Sequence, residues 1–254
     1  MGKKGHHHHH LKRLPAPASW SIQRKQFKWI VKPRPGPHKT TQCIPLLLVI
    51  REVLKIVKTR REARFLLSEG NIKVDGKVRK DEKFPVGIMD VIDIPLTEKY
   101  FRILPAPNNG LVLHPINHKE KEFKLCQIVK KTNIKGGHLQ LNLHDGKNVL
   151  LRIADPKNPK EDLYDTHDTL KIQIPNFEIS ASLKLEEGVL AMATGGKNLG
   201  RWGKVIKIER AKGSYSPTIT LKDNKDSKFT TIIDYVFAIG KETPWVSTLD
   251  EDEL

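Results

Sequence analysis

Along residues 46–58 apolar side chains recur at Leu46, Leu47, Ile50, Leu54 and Val57, with Arg51, Lys55 and Lys58 between them. That three-to-four spacing predicts an amphipathic helix. Thr59 followed by Glu62 three positions later has the form of a capping box, so a second helix starts there. Ala63, Leu66 and Leu67 supply its buried stripe, and Gly70 is placed to end it in the left-handed conformation. Phe65, Ile88 and Met89, with Leu66, read as core. The period then falls to two. Ile72, Val74 and Val78 flank Asp75-Gly76, which predicts a tight hairpin. A further strand is expected over Val91 to Ile94. Residues 106–175 read as β throughout: Leu139, Leu141 and Leu143 alternate with polar neighbours, and Asp145-Gly146 closes a hairpin onto 149–153. Leu170, Ile172 and Ile174 mark another strand ending at Pro175. From Val189 an apolar strand enters a loop carrying Gly195, Gly196, Gly200 and Gly203, and a strand returns through Val205, Ile206 and Ile208. Further β runs lie at 218–221, 229–233 and 235–239. Short strands joined by tight turns predict a small, partly open barrel. The fold class is therefore α+β and multi-domain, and the short apolar runs favour several small cores over one large one.

Charge changes this picture. The 254-residue chain carries 45 Lys and Arg against 29 Asp and Glu, a formal net charge of +16. Such an excess is a statement about partners, and the partner class is nucleic acid or an anionic surface. The longest clean apolar run, Leu46 to Ile50, is far short of the roughly 20 residues a spanning helix needs, and the N-terminus has no signal-peptide core. No membrane role is expected. Cys43 and Cys126 lack metal-type spacing and read as reduced thiols of a cytoplasmic protein. His6 to His10 form a pentahistidine run, a tag or a native basic segment, with no specific metal site expected.

The charge is also uneven. Residues 1–41 contain Lys3, Lys4, Lys12, Arg13, Arg24, Lys25, Lys28, Lys32, Arg34 and Lys39 and no acid, whereas Asp250, Glu251, Asp252 and Glu253 close the chain. Trp20, Phe27, Trp29, Ile30 and Val31 are interleaved with the arm's cations, a composition suited to stacking on or packing against RNA. Pro33 to Lys39 reads as an extended strap in which His38 joins the phosphate-contact candidates. At the second helix, Arg60 and Arg61 lie in the first turn and Arg64 shares a face with Arg61. Lys73, Lys77 and Arg79 extend that strip along the hairpin. In the glycine loop Lys197, Arg201 and Lys204 are candidates, and Trp202 is open between stacking and packing. The loop is no P-loop, because Gly203-Lys204 opens a strand rather than a helix. No catalytic set emerges: Asp75, Asp90 and Asp93 sit at a turn and strand ends without an identifiable acid–base partner. No cofactor or small-molecule substrate is expected.

The Val189 to Arg210 stretch resembles a KOW motif, and Thr59 to Ile94 resembles the small RNA-binding domain named after bacterial ribosomal protein S-four. HLKRLPAP from His10, PRPGPHK from Pro33, IKVDGKV from Ile72, GIMDVI from Gly87, KLCQI from Lys124, THDTLKI from Thr166, TGGKNLGRWG from Thr194 and VFAIGK from Val236 each match the small-subunit ribosomal protein family S-four-e. The resemblance spans nearly the whole chain, and the short acidic ending resembles archaeal members. The pentahistidine stands where relatives carry a basic Pro-Arg-Lys type segment. The resemblance implies a basic extension over 1–41, an S-four-type domain over 42–105, a central β-rich domain over 106–175, a KOW barrel over 176–240 and an acidic tail over 241–254. It further implies a non-enzymatic component of the small ribosomal subunit, in contact with small-subunit rRNA and neighbouring ribosomal proteins. The alternatives are an accessory of an RNA-modifying enzyme and a KOW-type RNA-binding or transcription factor.

Overall fold

A computed structural model describes residues 10–107, 110–155, 161–209 and 216–249. Lys3, Lys4, the pentahistidine up to His9 and the four terminal acids lie outside the described residues. The arm opens with β1 (Leu11–Lys12) paired to β2 (Trp29–Ile30). β3 (Cys43–Pro45) leads into α1 (Leu46–Leu48), which continues as a π-helical turn over Val49–Val53. α2 (Arg60–Ser68) follows, then β4 (Lys73–Val74), β5 (Lys77–Val78), β6 (Pro85–Gly87), β7 (Val91–Ile94), β8 (Lys99–Ala106) and β9 (Gly110–Pro115). β3 pairs with β6, and the other five strands form one antiparallel sheet in the order β5-β4-β7-β8-β9.

The next sheet is built from β10 (Phe123–Asn133), β11 (Leu139–Leu143), β12 (Asn148–Leu151), β13 (Thr169–Gln173) and β14 (Ile179–Leu183), in the order β12-β11-β10-β13-β14. The last contains β15 (Leu190–Ala193), β16 (Trp202–Glu209), β17 (Thr218–Lys222), β18 (Lys228–Ile232) and β19 (Val236–Gly240), in the order β18-β17-β16-β15-β19. The fold is β-rich with few helices. Alternation works as expected where one sheet face is buried: Leu139, Leu141 and Leu143 are buried and Gln140 and Asn142 are half-buried.

Three expectations fail for identifiable reasons. The first helix is a single turn plus a π turn rather than a surface amphipathic helix, and Leu46 to Ile50 are all buried. A segment apolar on every side runs through a core rather than along its surface. Lys55 then takes a left-handed backbone (φ 53°) and stops it, leaving Leu54 and Val57 partly buried against the same core. The arm is no loose strap. Ala16, Trp20 and Ile30 belong to the main core, and the Trp20 indole N–H donates to the Cys43 carbonyl at 2.5 Å. Residues 241–249 are not a free tail either, since Val246 and Leu249 are buried in that core and Ser247 donates to Glu120. Burial of such side chains typically contributes about 1.5–3 kcal/mol each. The main core thus takes residues from the arm, α1, α2, the first sheet, Leu125 of β10, Met192 of β15 and Phe237 of β19. Smaller clusters sit inside the second and third sheets. One large shared core thus stands beside the small ones that the scattered apolar runs suggested.

Candidate nucleic-acid interface

α2 is held at its start by the predicted capping box. The Glu62 amide donates to Thr59 Oγ1 at 3.2 Å, and Glu62 Oε2 accepts from the Thr59 amide at 3.3 Å. The Lys58 amide, which donates to Glu62 Oε2 at 3.0 Å, and then Thr59 keep the Glu62 carboxyl below its usual range. At the other end Gly70 adopts φ +82°, which only glycine takes readily. Ala63 and Leu67 face the protein, so Arg60, Arg61, Arg64, Phe65 and Ser68 face out. Arg60 is forked onto Glu82 at 2.9 and 2.5 Å, and this pairing holds the Glu82 carboxyl low and the guanidinium high. Arg61 and Arg64 are exposed and make no ion pair among the described residues. With Arg34, Arg60 and Lys80 they line an open groove. A second groove, between the strap prolines, is lined by Lys32, Arg34, Lys39 and Lys83. Arg34, itself paired with Asp81 at 3.0 Å, borders both, so the two grooves adjoin as one mainly cationic trough from the strap to α2, with Asp81 and Glu82 also in its lining. Phe65, expected in the core, is 64% exposed on this face.

Beneath the trough lies a feature that residue spacing does not reveal. Lys124 of β10 is fully buried, and its ammonium reaches Asp75 at 2.9 Å, Asp145 at 3.1 Å and Asp90. Asp75 and Asp145 each open an Asp-Gly hairpin turn, one from the first sheet and one from the second. His38 of the strap closes on Asp90 at 3.0 Å, and half-buried Lys147 reaches Asp75 at 3.3 Å and Asp145 at 3.1 Å. Burial alone would push the Lys124 ammonium down, but three carboxylates outweigh it and hold its pKa well above the lysine value. Burial would likewise raise Asp90 and Asp145; Lys124, with His38 at Asp90 and Lys147 at Asp145, holds both well below the usual range. Backbone N–H groups of Gly87 and Val91 satisfy further oxygens of Asp90 and Asp75. His144 borders the cluster. Burial, and then Lys124, push its pKa down to about 4. Its geometry is that of the neutral ring: Nδ1 accepts from the Gln127 amide at 3.2 Å, leaving Nε2–H to donate to the Ile88 carbonyl at 3.2 Å. A protonated lysine enclosed by carboxylates offers no free amine for chemistry. Cys43 is pushed up to about 12 by burial and by Asp90, and Cys126 is also raised well above the ordinary thiol value, so both are thiols. Among the described residues no group of three His, Cys, Asp or Glu could hold a metal ion. The cluster is an ionic joint between the strap and two sheets.

A family model described as Ribosomal family S4e matches residues 97–179, with an RS4NT domain matched over 4–41 and an S4 domain over 47–92. A small ribosomal subunit protein eS4 from Desulfurococcus amylolyticus is 49% identical over 93% of this chain and 94% of its own length. The chain belongs to the S4e family of ribosomal proteins. An eS4 protein from Aeropyrum pernix is 51% identical over 93% of this chain and 94% of that protein. That from Methanocaldococcus jannaschii is 46% identical over 96% and 98%. The crystal structure of the 30S ribosomal protein S4e from Thermoplasma acidophilum superposes with a TM-score of 0.65 at 32% identity, covering 79% of this chain and 96% of that one.

In this S4e chain the other sequence-predicted cations divide into exposed and committed side chains. Lys12, Lys25, Lys28, Lys39, Lys77, Lys197 and Lys204 are exposed, and Lys32 and Lys73 are half-buried. Arg13 and His38 depart from the surface role expected of them. Arg13 is 1% exposed and donates to the Gln23 carbonyl, Gln26 and Glu52, tying the arm to the core. His38 is enclosed beside Asp90. Arg24 is spent on the carbonyls of Leu14, Ala16 and Pro17. Arg79 lies over the Phe84 ring at 4.3 Å, and Arg201 pairs with Asp223 at 3.0 Å and Ser227 at 2.6 Å. Trp202 packs partly buried against the main core, which answers the choice between packing and stacking. In its loop Gly200 (φ +81°) is required by close approach, since a Cβ there would lie 2.8 Å from the Pro105 carbonyl oxygen. No helix among the described residues is long and apolar enough to cross a membrane.

Proposed function

We propose that this chain is a structural, non-enzymatic component of the small ribosomal subunit that binds and stabilises folded small-subunit rRNA in the cytoplasm, beside neighbouring ribosomal proteins. The observation that carries this reading is the open cationic trough lined by Lys32, Arg34, Lys39, Arg61, Arg64, Lys80 and Lys83, a concentration of positive charge suited to a sugar-phosphate backbone. Lys12, Lys25, Lys28, Lys73, Lys77, Lys197 and Lys204 are further contact candidates, whereas Arg13 and His38 act from inside the fold. The hairpin of β15 and β16 with its glycine loop is the segment read as KOW, closing a chain laid out as basic extension, S4 domain, central β domain and KOW sheet. Phosphate contacts fix position, and shape selects the site, because A-form grooves hide base edges from side chains. The test is sedimentation of the untagged protein in cell extract. It is expected in stoichiometric amount with the small subunit through a moderate salt wash, released only at high salt. A trace amount that leaves at low salt refutes the reading. Contact through about ten phosphates also requires affinity for rRNA fragments to fall by orders of magnitude over a few-fold rise in salt.

A further inference from the structure

The arm is already folded, yet it leaves two aromatic rings in water. Phe27 is 63% exposed and Trp29 is 52% exposed. Both are held rather than loose. In the β1–β2 ribbon Ile30 points into the core, while Trp29 stands outward opposite exposed Lys12. Lys28 lies over the Trp29 ring at 5.4 Å, and His10 touches it at a centroid distance of 5.7 Å. The guanidinium of buried Arg13 lies 5.5 Å from the Phe27 ring centre, and Arg13 is itself anchored by Glu52 at 2.9 Å. One side of the Phe27 ring is therefore fixed by the protein, and the exposed remainder faces solvent. Trp20, from the same arm, is by contrast packed in the core. The surroundings select the ligand. Lys12, Lys25 and Lys28 are exposed close by in sequence, and residues 1–41 contain no Asp or Glu. A flat ring beside cations, on a segment that carries no acid of its own, matches a base joined to its phosphate. An RNA duplex has its base faces stacked away, so the ligand must offer unpaired bases.

We infer that Phe27 and Trp29 form a preassembled stacking platform for unpaired bases of single-stranded RNA, with Lys12, Lys25 and Lys28 neutralising the adjoining phosphates. This rests on the RNA-binding reading above and adds a ligand class for the arm: single strand, where the α2 trough takes backbone by shape.

The test uses the full chain and two fluorescent probes, a short oligoadenylate and an RNA duplex of equal length, followed by anisotropy over a salt series. The Phe27→Ala/Trp29→Ala variant is expected to bind oligoadenylate at least about ten-fold more weakly. Its affinity for the duplex should stay within about two-fold and its salt slope should not change, because no phosphate contact is lost. A Lys12→Ala/Lys25→Ala/Lys28→Ala variant should weaken single-strand binding and flatten its salt slope, and Phe27→Tyr/Trp29→Phe should restore stacking. A second measurement needs no substitution. Trp29 is the most exposed tryptophan, so oligoadenylate should shield the wild-type protein from collisional quenching by acrylamide and duplex should not. Equal losses on both probes, an unaltered single-strand affinity or unchanged quenching overturns the platform; the last two are the outcomes if an acidic protein surface occupies the patch instead. If wild-type protein binds duplex with steep salt dependence while the aromatic variant changes nothing, the platform alone fails. If wild-type protein binds neither probe, the RNA-binding reading itself fails.

Discussion

Replacing Lys124 by Met keeps the stem's volume but removes the only fully buried cation of the joint. Three carboxylates then face a dry interior. Breaking a buried ion pair from one side destabilises by about 3–5 kcal/mol. The lower end applies here, because Lys147 still reaches Asp75 and Asp145 and His38 still reaches Asp90. Each kcal/mol is worth roughly 2–4 °C in Tm at this chain length, so a loss of about 3 kcal/mol lowers Tm by about 6–12 °C. The pH dependence is the sharper signature. Without Lys124, the burial that raises the Asp90 and Asp145 carboxyls is opposed only by His38 and Lys147, and their folded-state pKa values are expected above the unfolded value near 3.9. A raised carboxyl pKa means the penalty is present at neutral pH and is relieved as pH falls through that raised value. The deficit of Lys124→Met should therefore shrink between pH 7 and pH 5. Adding Asp90→Asn, which removes one stranded charge, should recover part of it. The assay is urea unfolding followed by circular dichroism at both pH values, with thermal melts alongside. A deficit under about 1 kcal/mol, or one that does not change with pH, would show that the cluster is not the joint described above.

Four further outcomes are expected. His144 has a folded pKa lowered to about 4, so below the unfolded value near 6.5 the unfolded chain binds a proton that the fold refuses; stability falls from about pH 6.5 towards pH 4, by at most about 3 kcal/mol, and His144→Gln should flatten the slope of ΔG against pH over that window. Asp90 and Asp145, held low, contribute stability present above about pH 4 and lost below it, so a steeper acid loss should follow in the same titration. Arg61→Ala/Arg64→Ala should weaken rRNA-fragment binding and reduce the salt slope by about 2, leaving Tm unchanged because neither side chain has an ion-pair partner among the described residues. Thr59→Ala removes a capping bond and should lower stability by about 1 kcal/mol in urea unfolding, with unchanged RNA affinity in the refolded protein.

Much of the local structure could be read directly from neighbouring residues. Thr59 and Glu62 cap α2 as their spacing predicts, Val91–Ile94 is a strand, and the Asp75-Gly76 and Asp145-Gly146 turns both close hairpins. These features depend on groups a few residues apart. The misplaced residues share another trait. Residue type alone sends Arg13 and His38 to the surface and Phe65 to the core, and each lies on the opposite side. Burial of Arg13 depends on Glu52, and burial of His38 on Asp90, both distant in sequence. Phe65 is exposed because α2 buries only Ala63 and Leu67 fully and nothing covers its outer face.

Several segments that carried the family resemblance meet at one point of the fold. IKVDGKV brings Asp75, GIMDVI brings Asp90, KLCQI brings Lys124 and PRPGPHK brings His38. By itself the sequence determined α2, most of the strands and hairpin turns, the excess of positive charge and the family, because all of these are written in residue order and composition. Only the tertiary structure decided which cations are free to meet RNA and which are locked inside. Spacing records which face of an element is apolar. Which partner covers that face, or neutralises a charge there, is settled when turn residues 21 to 49 positions from Lys124 close around its ammonium group.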